Sequence, residues 1–219
     1  MPNAVLCHSG QRQTPSVAPL GAALVLAVWL AAVLLLASRG FFVRPAGEAP
    51  LTLLIGFALP IISFFTALGL SRAFRGFVLE ADLRLLTAVQ AWRFGGLAFL
   101  AFYVHGVLPG VFAFPAGLGD MAIGATAPWI MLSLARRPDF ASSRSFRVWN
   151  LLGILDLVVA VGIGGLVSAL ASGAPGEITT APMAVLPLVL IPVYLVPIFV
   201  MLHVSALYQA SHSSEAKQR

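Results

Sequence analysis

Five polar side chains interrupt apolar stretches of the sequence at positions where they could share one site: Gln90, Arg93, Asn150, Asp156 and His203. If these stretches cross a membrane, an ionisable group inside them is costly and usually faces a partner on another helix. At 1.5 Å per helical residue, the arginine, the aspartate and the histidine would each lie roughly 10 Å from the inner surface. The equal depth predicts one cluster, an ion pair beside a histidine that titrates near neutral pH, which suits a proton or anion site.

The same residues also have two simpler interpretations. Arg93 could neutralise Asp156 only to fix the packing of two helices, with no further role. Arg93 could instead extend towards the lipid headgroups and pair with neither partner. Matching depth is required for a functional cluster and for a structural one, so spacing alone leaves these alternatives open.

A second polar group is predicted nearer the opposite, outer face. It consists of Tyr103 and His105 at the end of one apolar stretch and Asp120 at the start of the next. A contact between His105 and Asp120 would make a small polar pocket open to the outside. In the alternative interpretation, Asp120 lies in the first turn of a helix, where the helix dipole favours a carboxylate.

Several chemistries are excluded by the residues that are present. Cys7 is the only cysteine, so no internal disulfide and no cysteine-based metal motif can form. The two intramembrane histidines, His105 and His203, are predicted at opposite faces and are poor axial ligands for one haem. Lys217 is the only lysine and lies in the tail, which excludes a Schiff base within the apolar region. With no phosphate loop, zincin or hydrolase motif, we expect no catalytic residues, no metal and no cofactor, and an enzyme is the less favoured class.

The composition places the chain in a membrane. Only 10% of its 219 residues are charged and 59% are hydrophobic, whereas soluble domains have about 25% charged residues. A spanning helix needs roughly 20 apolar residues. Six stretches meet or approach that length, which predicts an all-α bundle of six transmembrane helices, at residues 17–38, 51–71, 86–107, 119–135, 149–172 and 182–208.

The basic residues predict the orientation of this bundle. Residues 17–208 form the transmembrane domain, between cytoplasmic tails at 1–16 and 209–219. Ten basic residues fall on the side of both termini, and only Arg39 and Arg44 fall on the other side. Basic residues concentrate on the cytoplasmic side of membrane proteins, so both termini should be cytoplasmic. The net charge of +5 therefore indicates orientation and predicts no nucleic-acid partner.

Three segments are predicted to depart from simple spans and loops. Residues 72–86 have one apolar face, which indicates an interfacial helix or, alternatively, a polar connection with chance periodicity. Residues 108–119 combine prolines and glycines with uncharged aromatic residues, which favours a re-entrant turn over an ordinary outer loop. In the sixth span, Pro187, Pro192 and Pro197 should leave carbonyls unpaired and bend the helix, and such carbonyls can coordinate cations in transporters.

One pattern resembles a known family. Its residues are Gln90-x-x-Arg93-x-Gly95, then Gly106-x-Leu108-Pro109, then Phe112-Ala113-x-Pro115-Ala116-Gly117-x-Gly119-Asp120. The pattern resembles uncharacterised multi-pass membrane proteins of bacteria, a family with no assigned activity. The resemblance implies that Arg93 and Asp120 matter jointly, and that the chain resides in a bacterial inner membrane.

Three functions remain open from the sequence. The favoured one is a small-solute or ion transporter that uses Arg93, Asp156 and His203. The second is an accessory or assembly subunit whose apolar surface binds another membrane protein or a second copy of the chain, and the third is a membrane-embedded enzyme acting on lipid. Besides the lipid bilayer itself, anionic lipids are possible partners of the basic segment from Arg136 to Arg147.

Reporter fusions test the predicted orientation. A reporter fused after Arg147 and one at the C-terminus should both be cytoplasmic, whereas one near Glu177 should be external, because the basic residues are segregated to one side. Alkaline phosphatase and green fluorescent protein activities distinguish the two locations. Opposite locations for the Arg147 and C-terminal reporters would contradict the six-span topology.

Overall fold

The computed structural model describes residues 18–218, and these residues form helices and turns without a β-strand. Six helical segments are long and apolar enough to cross a membrane, which confirms the all-α, six-span architecture. The α-helices are α1 (Ala18–Ser38), α2 (Leu51–Leu70), α3 (Arg72–Glu80), α4 (Leu83–Val89), α5 (Leu97–Val104), α6 (Gly110–Arg136), α7 (Arg144–Ala169) and α8 (Val196–Gln218). The predicted tail at residues 1–16 lies outside the described residues, and α8 continues through most of the segment predicted as the second tail.

The connection after α2 contains the helix expected from its amphipathic pattern. The Ser71 side chain accepts the Phe74 N–H at 3.2 Å and so begins α3. This helix ends at Glu80, whereas the predicted segment extended to residue 86. The side chain of Asp82 then accepts the Arg84 N–H at 2.8 Å and begins α4.

The third span changes helical type in its middle. α4 passes into a 3₁₀ segment, Gln90–Gly96, and then into α5, so that the span covers Leu83–Val104. A 3₁₀ turn is narrower than an α-turn and is uncommon at this length. The segment carries two glycines, Gly95 and Gly96, and Arg93 lies within it.

The predicted re-entrant turn at 108–119 is wrong. α6 begins at Gly110, directly after Pro109, and continues as one helix to Arg136 through Pro115 and Pro128. The sequence predicted a turn here because prolines usually break helices in soluble proteins. In a membrane, a helix satisfies most of its own polar backbone groups, and neighbouring helices help to accommodate a proline.

The predicted start of the sixth span at Pro182 is also wrong. Residues 181–184 form a single 3₁₀ turn, and the spanning helix begins with a π-type turn, Ile191–Leu195, that leads into α8. The Leu188 carbonyl, which Pro192 was expected to leave unpaired, accepts the Ile191 N–H at 3.0 Å.

Burial shows which span is central. In the sixth span, 44% of the residues in the most apolar 18-residue stretch are buried, compared with 6% in the first span. α1 contacts the rest through Val33 and Ala37, which are buried, and through Trp29, which packs against Tyr194 with ring centroids 4.8 Å apart. The outward faces carry large apolar side chains such as Trp92, Trp129 and Leu151, as expected of a surface in contact with lipid.

Candidate functional site

Arg93 occupies the centre of the bundle and contacts three other spans. Its side chain has no exposed surface. Nε donates to Asp120 Oδ1 at 2.7 Å, and Nη2 donates to Asp156 Oδ2. Nη1 donates to the Gly153 carbonyl at 3.2 Å and lies 3.1 Å from His203 Nε2. The arginine therefore pairs with two carboxylates, and the interpretation in which it extends to the headgroups is excluded.

The direction of the hydrogen bonds assigns the tautomer of His203. An arginine can only donate, so Nε2 of the histidine must accept from Arg93. Nδ1 then carries the proton and donates to Asn150 Oδ1 at 2.9 Å. Asn150 in turn donates from Nδ2 to the Phe146 carbonyl at 2.9 Å. A second proton on His203 would place two donors face to face and would break its bond with Arg93.

Gln90 lies one 3₁₀ turn before Arg93 and is almost fully buried. Its Nε2 donates to the Phe199 carbonyl at 3.3 Å. Its Oε1 is the one buried side-chain polar atom without a hydrogen-bond partner among the described residues. An unpaired buried acceptor costs about 1–3 kcal/mol, and here it lies beside the most polar region of the bundle.

The structure corrects the predicted placement of Asp120. Because α6 begins at Gly110, Asp120 lies well inside the helix and binds Arg93. The sequence predicted Asp120 in the first turn of the helix, either as a carboxylate favoured by the helix dipole or in contact with His105. His105 is exposed at the end of α5, and Tyr103 packs against Phe114 with ring centroids 4.9 Å apart. The predicted outer pocket of these three residues is therefore not formed.

Asp120 joins the other residues in one group, which we call the Arg93 cluster: Arg93, Asp120, Asn150, Asp156 and His203. Arg93 and His203 lie near the middle of spans of 22 residues each, and Asp120 and Asp156 near the middle of spans of 27 and 26 residues. The prediction placed part of this group near the inner surface and Asp120 near the outer one. The revised bounds of the third, fourth, fifth and sixth spans account for the difference.

Glycines allow the helices around the cluster to approach this closely. A methyl group on Gly119 would overlap the Asp156 carboxylate, and one on Gly153 would overlap the His203 ring. A methyl group on Gly124 would overlap the backbone of Phe94 and lie 2.8 Å from the Arg93 carbonyl carbon. The role of these glycines could not be predicted from the sequence, because it depends on which helices are neighbours.

A cavity leads from one end of the bundle to the cluster. Its volume is about 80 Å³, and its lining includes Arg44, Thr180 and Ala181 at that end and Asp120 at its depth. This is the end formed by the connections 39–50, 105–109 and 170–190, which the basic residues predict to be external. The Asp120 side chain keeps 16% of its surface exposed, so the carboxylate that holds Arg93 is also open to the cavity.

The connection at 170–180 is ordered by its own polar contacts. The Glu177 carboxylate accepts the backbone N–H groups of Ser172 at 3.1 Å and Gly173 at 2.8 Å, and these bonds hold its pKa below the ordinary value. The Thr180 hydroxyl donates to the Gly164 carbonyl at 2.7 Å. These contacts fix one rim of the cavity against α7.

Comparison with family models identifies the chain. It belongs to a family described as a domain of unknown function (DUF8737), whose model matches residues 50–211. That range contains five of the six spans and the complete Arg93 cluster, and it leaves out α1. No curated protein and no solved structure matches the chain.

Substitution of two adjacent glycines tests the close packing at the cluster. A methyl group at Gly96 would lie 2.5 Å from Asp120 Cβ and 3.1 Å from the Gly117 carbonyl, whereas one at Gly95 meets no atom within 4 Å. Overpacking costs about 1–3 kcal/mol, so Gly96→Ala should lower the melting temperature of the purified protein by several degrees.

Gly95→Ala is the matched control, because it adds the same methyl group to the same 3₁₀ segment. Its melting temperature should equal that of the wild type or exceed it slightly. Equal losses in the two variants, measured by intrinsic fluorescence in detergent, would show that the third and fourth spans are not packed as described.

Proposed function

We propose that this chain is a membrane transporter of a small solute or an ion, and that the Arg93 cluster is its site. The observation that supports this proposal is the combination of a charged cluster at mid-span with a cavity that reaches it from one end. Charged groups inside a membrane protein commonly mark the path of a proton or substrate. Binding sites in many transporters likewise lie near the middle of the membrane, beside interrupted helices. We further propose a bacterial inner membrane as its location.

The charges of the cluster favour a proton or a cation over an anion. One guanidinium faces two carboxylates, Asp120 and Asp156, while the hydrogen bonds of His203 require its neutral form. With both carboxylates ionised, the cluster carries one net negative charge. An uncompensated buried charge is costly, so a bound proton or cation would complete the site.

The interruptions of two spans supply places where the bundle could bend. The 3₁₀ segment Gln90–Gly96 carries Arg93, and the π-type turn Ile191–Leu195 precedes the helix that carries His203. Such turns often occur at functional hinges. A change at either turn would move one member of the cluster relative to the two aspartates.

An accessory subunit is the second candidate function. α1 lies outside the matched family range, and only 6% of the residues in its most apolar 18-residue stretch are buried. A helix attached so loosely could bind a neighbouring membrane protein. In that case the cluster would only hold the bundle together, the purified protein would conduct nothing, and a stoichiometric partner would be recovered with it.

Proton flux in vesicles tests the transporter proposal. In proteoliposomes containing a pH-sensitive dye, the wild type should conduct protons or a co-supplied cation faster than empty vesicles, because two carboxylates face one guanidinium in the cluster. His203→Gln should keep both this flux and the folded yield, because the hydrogen bonds of His203 require its neutral form and assign it a structural role. Glutamine can donate towards Asn150 and accept from Arg93, so both hydrogen bonds can be kept.

Asp82→Asn is the matched control for charge. Asp82 is an exposed residue before α4, and asparagine retains the ability to begin a helix. This variant should conduct like the wild type, whereas Asp156→Asn should lose the flux. Wild-type vesicles that conduct no more than empty ones, or Asp156→Asn vesicles that conduct like the wild type, would reject the transporter proposal.

A further inference from the structure

The cavity above the Arg93 cluster is small and largely apolar. Its volume is about 80 Å³, and a water needs roughly 10–15 Å³ of such space, so it would hold on the order of half a dozen waters. By the same measure, the cavity has room for an organic solute of about five heavy atoms. The cavity is therefore suited to a small solute.

Aromatic and aliphatic side chains form the walls. Phe99 and Phe112 pack edge to face, with ring centroids 5.5 Å apart, and both line the cavity. Leu157, Met183 and Ile191 complete the apolar lining near them. A solute in this space would contact alkyl groups and ring faces over most of its surface, so at least part of it must be apolar.

The polar end of the cavity is acidic. Asp120 is the one acidic residue among the described residues that line it. Its Oδ1 accepts from Arg93 Nε, and the partly exposed carboxylate can still accept from a group in the cavity. Arg44 is the basic residue of the lining, but it is exposed at the opposite end, where water and salt screen its charge.

We propose that the cavity binds a small alkylammonium ion, with the ammonium group at Asp120 and the alkyl chain against the apolar wall. An ammonium ion donates hydrogen bonds to a carboxylate, and its charge offsets the net negative charge of the cluster. Phe99 and Phe112 line the same cavity, and a ring face within about 6 Å of the ammonium group would add a favourable interaction. This inference rests on the proposed transport function and specifies the class of its substrate.

Thermal stability of the purified protein in detergent tests this binding directly. Butylammonium should raise the melting temperature by several degrees at saturating concentration, because a ligand that binds only the folded state stabilises it. 1-Pentanol and pentanoate have a similar size but are neutral and anionic, and they should leave the melting temperature unchanged. The shift should be absent in Asp120→Asn and retained in Asp82→Asn.

A second variant keeps the test decisive if Asp120→Asn does not fold. Ala160 lines the cavity, so Ala160→Leu should fill it, leave every charge of the cluster intact and abolish the shift. No shift in the wild type, equal shifts with the neutral or anionic compound, or a shift that persists in Ala160→Leu would overturn the proposal.

The result of this binding experiment can be distinguished from the result of the transport experiment. Binding is measured in detergent, whereas transport is measured as flux across vesicles. Flux without butylammonium binding would refute the alkylammonium substrate and leave the transporter standing. Binding without any flux would refute the transporter and leave the ammonium site.

Discussion

The burial of one guanidinium group constrains the centre of this protein. Arg93 has no exposed side-chain surface and donates to groups on three other spans. An arginine cannot lose its charge at any ordinary pH, so it must be surrounded by acceptors wherever it is buried. Asp120 and Asp156 supply the negative charge, while Gly153 and His203 supply uncharged acceptors. The fourth, fifth and sixth spans each supply an acceptor that meets this requirement.

The same requirement explains why small residues concentrate around the cluster. Each acceptor must reach the guanidinium at hydrogen-bond distance, so the helix backbones approach more closely than ordinary side chains permit. Gly119 and Gly153 leave room for the Asp156 carboxylate and the His203 ring. Gly96 and Gly124 bring the 3₁₀ segment against α6. Packing of this kind is typical of membrane helices, where small residues allow close contact.

The sequence predicted the six spans and the juxtaposition of Arg93 with Asp156 and His203. Both predictions depend only on the length of each apolar stretch and on the depth of the polar residue within it, which are local properties of the sequence. Asp120 was misplaced because prolines and glycines such as Pro115, Gly117 and Gly119 indicate a loop in a soluble protein, whereas a membrane helix accommodates them. The resemblance to a membrane-protein family contained the correct signal, since it linked Arg93 with Asp120 although the predicted bounds separated them. The cavity and the role of the glycines could not be predicted, because they depend on which helices are neighbours.

A stability cycle on the Arg93 cluster tests the central claim most directly. Arg93→Met leaves two buried carboxylates without their partner, and loss of one member of a buried ion pair costs about 3–5 kcal/mol. The triple variant Arg93→Met/Asp120→Asn/Asp156→Asn removes the unpaired charges as well, so its unfolding free energy in detergent should exceed that of Arg93→Met alone. If the losses from the arginine and from the two aspartates simply add, the residues are not energetically coupled and the account is wrong.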